Sequence, residues 1–488
     1  MHNPKDGNIQ EATLLSRKLV PNGELITSQM SFRVPLDYRQ PEGDYINLGA
    51  TMVHAFATPG ESQDNGKYLD NKSPIFVFLC GGPGTANDPF RIPALNRALL
   101  TGTFLQNTKF QVLYLDYRGT GRSDPITAST LARLGDVREQ AEYLMQFRQD
   151  NTVRDLEAAR KCLSAKLWND HNRPWSIMGQ SYGGWIALTY LSLCPGGLKE
   201  VFLTGGLAPV GHTPDEVYAE TYRQVRAQNR AFFARDARNG PRVRQVALHI
   251  LTTGNNRIRL PSGGTLTVQR LMLLGRALGG ATGLDDVERL VATMAAEAAS
   301  AGALSRRTLE RFDAAVRLAG RPLYAALHEA IYCDGPGVAS RWAAQRMGRG
   351  VFQSSPEYWW LRGGPVTAAQ VGNEKNMFFA GEMIYPFHFD TFAELVAFKD
   401  VAGAVAARTD WPALYDQARL AANTVPVCAV GYSKDMYVSA RLGQQTASKV
   451  RGLRYFESPD LAHDAIRTNT DLVLGYLVRM SQGLPARG

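Results

Sequence analysis

Cysteine is scarce. Cys80, Cys162, Cys194, Cys333 and Cys428 are the only five in 488 residues. Their number is odd, their spacing is wide and none forms a CxxC, which argues against a disulfide framework and a thiolate zinc site. Long apolar runs are missing as well. No stretch approaches the roughly 18 apolar residues of a membrane span. The opening MHNPKDGNIQEATLLSRKLV has no apolar segment of the signal-peptide kind. These absences set the expectation of a soluble cytoplasmic protein with no membrane partner. Nucleotide motifs are also lacking: there is no GxxxxGK(S/T), and GTGRSD (119–124) has no third glycine for a dinucleotide fingerprint. Without zinc-finger or RNA-binding signatures, the net charge of +9 reads as a scattered, arginine-rich solvated surface, and no nucleic-acid partner is expected. Neither a solenoid repeat nor a long low-complexity tract is seen.

What is present is globular. The chain is 44% hydrophobic and 20% charged, which excludes wholesale disorder and collagen-like structure. Its length suits two or three domains, or one large domain with an insertion. Residues 29–57 hold two β-type runs around the turn QPEGD, and ESQDNGKYLDNKS (61–73) reads as a polar loop. Short apolar runs then each meet a Gly-rich or polar turn. They are IFVFL (75–79), FQVLYL (110–115), WSIM (175–178), EVFLT (200–204), VPVCAV (425–430) and LRYF (453–456). Such runs fit parallel strands buried on both faces, with helical stretches near 153–168 and 470–480. The middle is rich in Ala, Leu and Arg at helical spacing. The expected organisation is a core in two parts, 1–210 and 406–488, separated by a mostly helical insertion over 211–405.

Gly179-Gln180-Ser181-Tyr182-Gly183 is a GxSxG between the strand WSIM and the helical run WIALTYLSL. That strand–turn–helix context marks a nucleophile elbow, where small neighbours let strand and helix approach and push the hydroxyl out. Serine needs a base and an orienting acid. In the α/β-hydrolase arrangement these follow in the order Asp or Glu, then His. His463 sits in the loop after a terminal strand and is the expected base; His388, in IYPFHFD within the helical region, is the other candidate. Asp435, in GYSKDMYV after VPVCAV, is the expected acid. Asp410 and Asp416 precede that strand, and Asp460 and Asp464 share the loop of His463. The expected oxyanion donors are the N–H of Tyr182, after the nucleophile, and those of the Gly81-Gly82-Pro83-Gly84 loop, chiefly Gly82 and Gly81.

GGPG after a strand, DYRGTGRSDP, GQSYGG, TGGLAP, DMYV and the terminal AHD together resemble the proline iminopeptidases, serine aminopeptidases of α/β-hydrolase fold. The resembling segments run over 75–209 and 376–467, and TGGLAP and GEMIYP resemble the larger members. The resemblance implies an α/β-hydrolase core, mostly parallel sheet with helices on both faces, under a large helical cap. It implies release of N-terminal proline from short peptides through a prolyl-enzyme intermediate, with no metal or cofactor. It also implies cap carboxylates that hold the substrate's free ammonium. Glu382, in GEMIYP, is the best match and Glu329, in LHEAIYC, the second. Tyr385, with Trp359, Trp360, Phe378, Phe379 and Phe387, stands near these acids in sequence and offers walls for a pyrrolidine slot. One departure is Cys80, where small members carry His before GGPG; it reads as a buried strand-end residue. Serine at the elbow argues against dehalogenase or epoxide-hydrolase chemistry, where the resembling families place Asp. The rival readings are an esterase or amidase acting on uncharged acyl groups, and a non-catalytic binding protein of the same fold.

Overall fold

Runs of five or six apolar residues without polar alternation must be covered on both faces. In a computed structural model of the chain, such runs form the middle of one nine-stranded sheet. The structure describes residues 9–56, 73–105, 107–318, 320–350, 356–373 and 377–487. Of the polar stretch 61–73, all but Ser73 lies outside them. The strands are β1 (Thr13–Asn22), β2 (Leu25–Pro35), β3 (Tyr45–Phe56), β4 (Ile75–Leu79), β5 (Gln111–Leu115), β6 (Trp175–Gln180) and β7 (Leu198–Thr204). After the two-residue β8 (Ile258–Arg259) and β9 (Thr265–Leu266) come β10 (Val427–Tyr432) and β11 (Leu453–Ser458). The sheet order is β1-β2-β3-β5-β4-β6-β7-β10-β11. From β5 to β11 every pairing is parallel; β1, β2 and β3 add an antiparallel wing.

Strand β1 lies outside the strand-rich stretch read from the sequence. It is an edge strand with one partner, and Leu15 on it is exposed. An edge that buries little carries little apolar alternation, so its pattern is weak. By contrast, β4, β5 and β6 are buried at every residue.

Between Thr204 and Val427 the described elements are helices, apart from β8 and β9, joined by loops. Its longest helix, Pro214–Arg235, starts where the sequence supplies a full start signal. Thr213 caps it, Glu216 closes the capping box, and Pro214 sits at the first position.

Several motif residues hold loops in place. Arg118, of DYRGTGRSD, forms a buried bidentate pair with Asp155 at 2.6 and 2.7 Å, and Tyr38 donates to the same carboxylate at 2.9 Å. Asp116 accepts the N–H groups of Asn87 (2.8 Å) and Arg122 (3.1 Å), tying the loop after β4 to the loop after β5. Arg148 joins core and insertion. It pairs with Asp150 at 2.9 Å and donates to the carbonyls of Cys333 (2.6 Å) and Pro412 (2.7 Å).

Candidate active site

Gly179 to Gly183 turn from β6 into the helix Tyr182–Leu193 with Ser181 at the corner. Ser181 has φ +54° and ψ −122°, a region that costs a non-glycine residue on the order of 1–3 kcal/mol. Surrounding hydrogen bonds hold it there. Its N–H donates to the Thr204 carbonyl at 3.1 Å, and its own carbonyl accepts the Gly184 N–H at 2.7 Å. The helix also has to pass close under β4: a Cβ on Gly183 would stand 2.1 Å from the Leu79 carbonyl oxygen.

Asp435 follows β10 and His463 follows β11, so both reach the same carboxyl edge of the sheet as Ser181. His463 Nε2 lies 3.0 Å from Ser181 Oγ, and His463 Nδ1 lies 2.6 Å from Asp435 Oδ2. The other Asp435 oxygen accepts the N–H groups of Tyr437 (2.8 Å) and Val438 (3.0 Å), which fixes the carboxylate's orientation. Burial works against a charged His463. The charge and hydrogen bond of Asp435, with the charge of Glu382, outweigh it and raise the imidazole above its ordinary value near 6.5. The Tyr437 ring stands edge-on to the imidazole at 4.6 Å between centroids. His388 is elsewhere. It is buried in the cap against the Tyr385 backbone, and burial pushes it down to about 3.

Tyr182 heads its helix, where N–H groups have no intrahelical acceptor and the helix dipole favours negative charge. Gly81 and Gly82 run alongside Ser181; a Cβ on Gly81 would lie 2.9 Å from that of Ser181. Cys80, just before them, is buried with Sγ 3.6 Å from the Thr85 carbonyl, and burial pushes its thiol up to about 12. It is a neutral strand-end residue, not a thiolate nucleophile.

A cavity of about 340 Å³ opens over Ser181, at the small end of ligand sites. Gly81, Gly82, Tyr324, Glu382, Tyr437 and His463 all face it. Glu382 is half-buried there, and one of its carboxylate oxygens accepts the Tyr324 hydroxyl at 2.5 Å. Glu329 is not among the lining residues. Its two oxygens accept the N–H groups of Ala343 (3.0 Å) and Ala344 (2.9 Å) at the head of the helix Ala343–Gly350, and burial raises its carboxyl to about 7. Tyr385 is also away from this cavity, fully buried, its hydroxyl 2.9 Å from that of Tyr222. Trp360 and Phe387 pack on Tyr385, and Phe378 on Phe233, inside the cap core. The aromatic rings beside Ser181 are instead Tyr324 and Tyr437. Tyr437 stands two residues after Asp435, within the DMYV motif, so its place beside the acid was legible in the sequence. Tyr324, over fifty residues before Glu382, carried no such signal. Among the described residues no three His, Cys, Asp or Glu side chains are grouped to hold a metal ion.

The chain supplies these groups as Ser, Asp, His, each just past the carboxyl end of a parallel strand. That is the order of the α/β-hydrolase fold, and the chain is a hydrolase of that class. The family model for the α/β-hydrolase fold matches residues 74–248. Over 455 residues the chain is 38% identical to a proline iminopeptidase of Aeromonas sobria, covering 92% of this chain and 95% of that protein. It is 33% identical over 479 residues to a proline iminopeptidase of Aspergillus aculeatus, covering 97% and 98%. The chain belongs to the proline iminopeptidase family.

Proposed function

We propose that the chain is a serine aminopeptidase that releases N-terminal proline from short peptides. The observation that carries this reading is Glu382, a carboxylate facing the same small cavity as Ser181. The free ammonium of an exopeptidase substrate gains a charge-assisted hydrogen bond from such a group. Tyr324 and Tyr437 flank the space between them and offer apolar surface to a pyrrolidine ring. Glu382 is the ammonium's partner; Glu329 is buried and caps a helix.

The reaction runs in two halves. Ser181 Oγ attacks the carbonyl carbon of the first residue while its proton passes to His463 Nε2. Asp435 holds the imidazole in the required tautomer and stabilises the imidazolium. The negative oxygen receives the Tyr182 and Gly82 N–H groups, with Gly81 beside them. As the C–N bond breaks, His463 gives its proton to the leaving amine, and a prolyl ester remains on Ser181. Water then attacks that ester, losing a proton to His463, and the proton returns to Ser181 as free proline departs.

Among the described residues no helix is long and apolar enough to cross a membrane. All five cysteines are buried and none is in a disulfide, which supports a cytoplasmic setting. The test is hydrolysis of proline β-naphthylamide beside a butyrate ester, with Ser181→Ala as the blank. The reading predicts fast release from the proline amide, lost on the order of 10⁴-fold or more in the variant. Turnover of the ester with silence on the amide would assign an esterase instead, and turnover of neither would leave the non-catalytic binding protein.

A further inference from the structure

The cavity over Ser181 carries more positive charge than this reaction needs. Arg91, Arg276, Arg321 and Arg467 line it, against two carboxylates, Glu382 and Asp464. Arg91 lies in the loop after β4 and Arg467 in the turn Ala465–Thr468, just past His463; both are exposed at the rim. Arg276, in Met272–Gly279, and Arg321, just before the helix Pro322–Leu327, are half-buried in the cap wall.

These cations are only partly neutralised by their surroundings. Glu382 is engaged by Tyr324 and faces the substrate ammonium, and Asp464 Oδ1 accepts the Ala281 N–H at 3.1 Å. Arg276 donates to the Arg317 carbonyl at 3.3 Å, which adds no counter-charge. Among the described residues none of the four arginines forms an ion pair with a carboxylate. The cavity wall partly desolvates Arg321 and Arg467 and lowers both; Arg276 and Arg91 lower Arg321 further, and Arg91 lowers Arg467 while Asp464 opposes it. Cations gathered in a partly desolvated wall repel one another until an anion enters.

We infer that this arginine cluster binds a carboxylate on the departing part of the substrate, so that the preferred substrates are short free peptides with an anionic leaving half. The side of the cavity supports the assignment. The leaving amine takes its proton from His463, so the leaving residue lies beside it, and Arg467, four positions on in the turn that follows, lines the same cavity. A guanidinium also matches a carboxylate with two parallel hydrogen bonds. A zwitterionic peptide would then be held at both ends, its ammonium on Glu382 and its carboxylate on the arginines. This inference rests on the aminopeptidase reading.

The carboxylate has two sources, the peptide's own C-terminus or an acidic side chain next to the scissile bond. The experiment compares kcat/KM on Pro-Gly, Pro-Gly-NH2 and Pro-Glu-NH2, with proline β-naphthylamide alongside. It does so for the wild type and for the rim variants Arg91→Gln and Arg467→Gln, whose exposed positions spare the fold. The expected result is a preference of about tenfold or more for a carboxylate-bearing substrate over Pro-Gly-NH2. The preference should reside in KM, shrink several-fold in each variant and weaken as NaCl rises. Preference for Pro-Gly alone assigns the C-terminal carboxylate; preference for Pro-Glu-NH2 alone assigns the side chain. Equal cleavage of all substrates by the wild type overturns the inference and leaves the aminopeptidase standing, as does a preference that survives intact in both variants. Cleavage of none removes the aminopeptidase reading and this inference with it.

Discussion

Tyr324 donates its hydroxyl to Glu382 at 2.5 Å, inside the cavity that holds Ser181. The two residues arrive from separate cap segments and lock one carboxylate in one orientation. A carboxylate so held can meet an ammonium without first being ordered, which is where preorganised sites gain affinity. Glu382→Gln keeps the shape and removes the charge. Its expected cost is on the order of 2–4 kcal/mol in kcat/KM on a free-amine proline substrate. Tyr324→Phe removes only the positioning bond and should cost about 1 kcal/mol. Steady-state kinetics on proline β-naphthylamide measure both, and equal activity of Glu382→Gln and wild type would take the ammonium away from Glu382.

His463 links activity and stability in opposite directions. Its imidazole is raised above about 6.5, chiefly by Asp435 working against burial. Only the neutral ring accepts the Ser181 proton, so kcat/KM should rise with pH through this raised value. The stability it contributes runs the other way. It is fully present below the unfolded value and fades as pH rises through the folded one. Asp435→Asn should shift the acid limb of the pH–kcat/KM profile downward and lower kcat on the order of 10⁴-fold. An acid limb that stays in place would assign it to another group.

Glu329 gives a separate pH signature. Burial raises its carboxyl from 4.5 to about 7. Between those values the unfolded chain loses the proton while the folded one keeps it, so stability falls as pH rises across that window. Glu329→Gln removes this contribution. Its melting temperature should therefore drop less between pH 5 and pH 8 than that of the wild type, measured by thermal unfolding at both. A variant whose melting tracks the wild type across the window while KM rises would return Glu329 to the substrate.

The buried pair Arg118–Asp155 has both side chains at 0% exposure. Asp155→Asn leaves the guanidinium without its charge partner, and also weakens the bond from Tyr38. The expected loss is about 3–5 kcal/mol of stability. Chemical denaturation reads it, and a loss under 1 kcal/mol would mean that the Arg118 bonds to the carbonyls of Leu36 (2.8 Å) and Gln146 (2.6 Å) suffice.

The sheet centre was legible in the sequence because its strands are short, mostly apolar and each followed by a Gly-rich or polar turn. Ser181, Asp435 and His463 were legible for a related reason: each stands just past such a strand, so one-dimensional order maps onto one edge of the sheet. Edge strand β1 was not, since a strand with one neighbour need not alternate. Residues of the cap were read less well. Trp360, Phe378, Tyr385 and Phe387 precede or follow Glu382 in sequence, yet Trp360, Tyr385 and Phe387 pack on one another and Phe378 on Phe233, in the cap core. Tyr324 and the arginines at 91, 276, 321 and 467 meet only when the cap docks on the sheet, and no local pattern encodes that meeting.

The most direct test of the account is the rate on proline β-naphthylamide against its N-acetyl form. Acetylation leaves the scissile bond, the ring and the leaving group unchanged, but blocks the amino end and removes the charge and N–H donors offered to Glu382. Rapid release is expected from the free amine and none from the acetylated compound. Comparable release from both would show that Ser181 acts without recognition of the amino end, and the aminopeptidase assignment would fall.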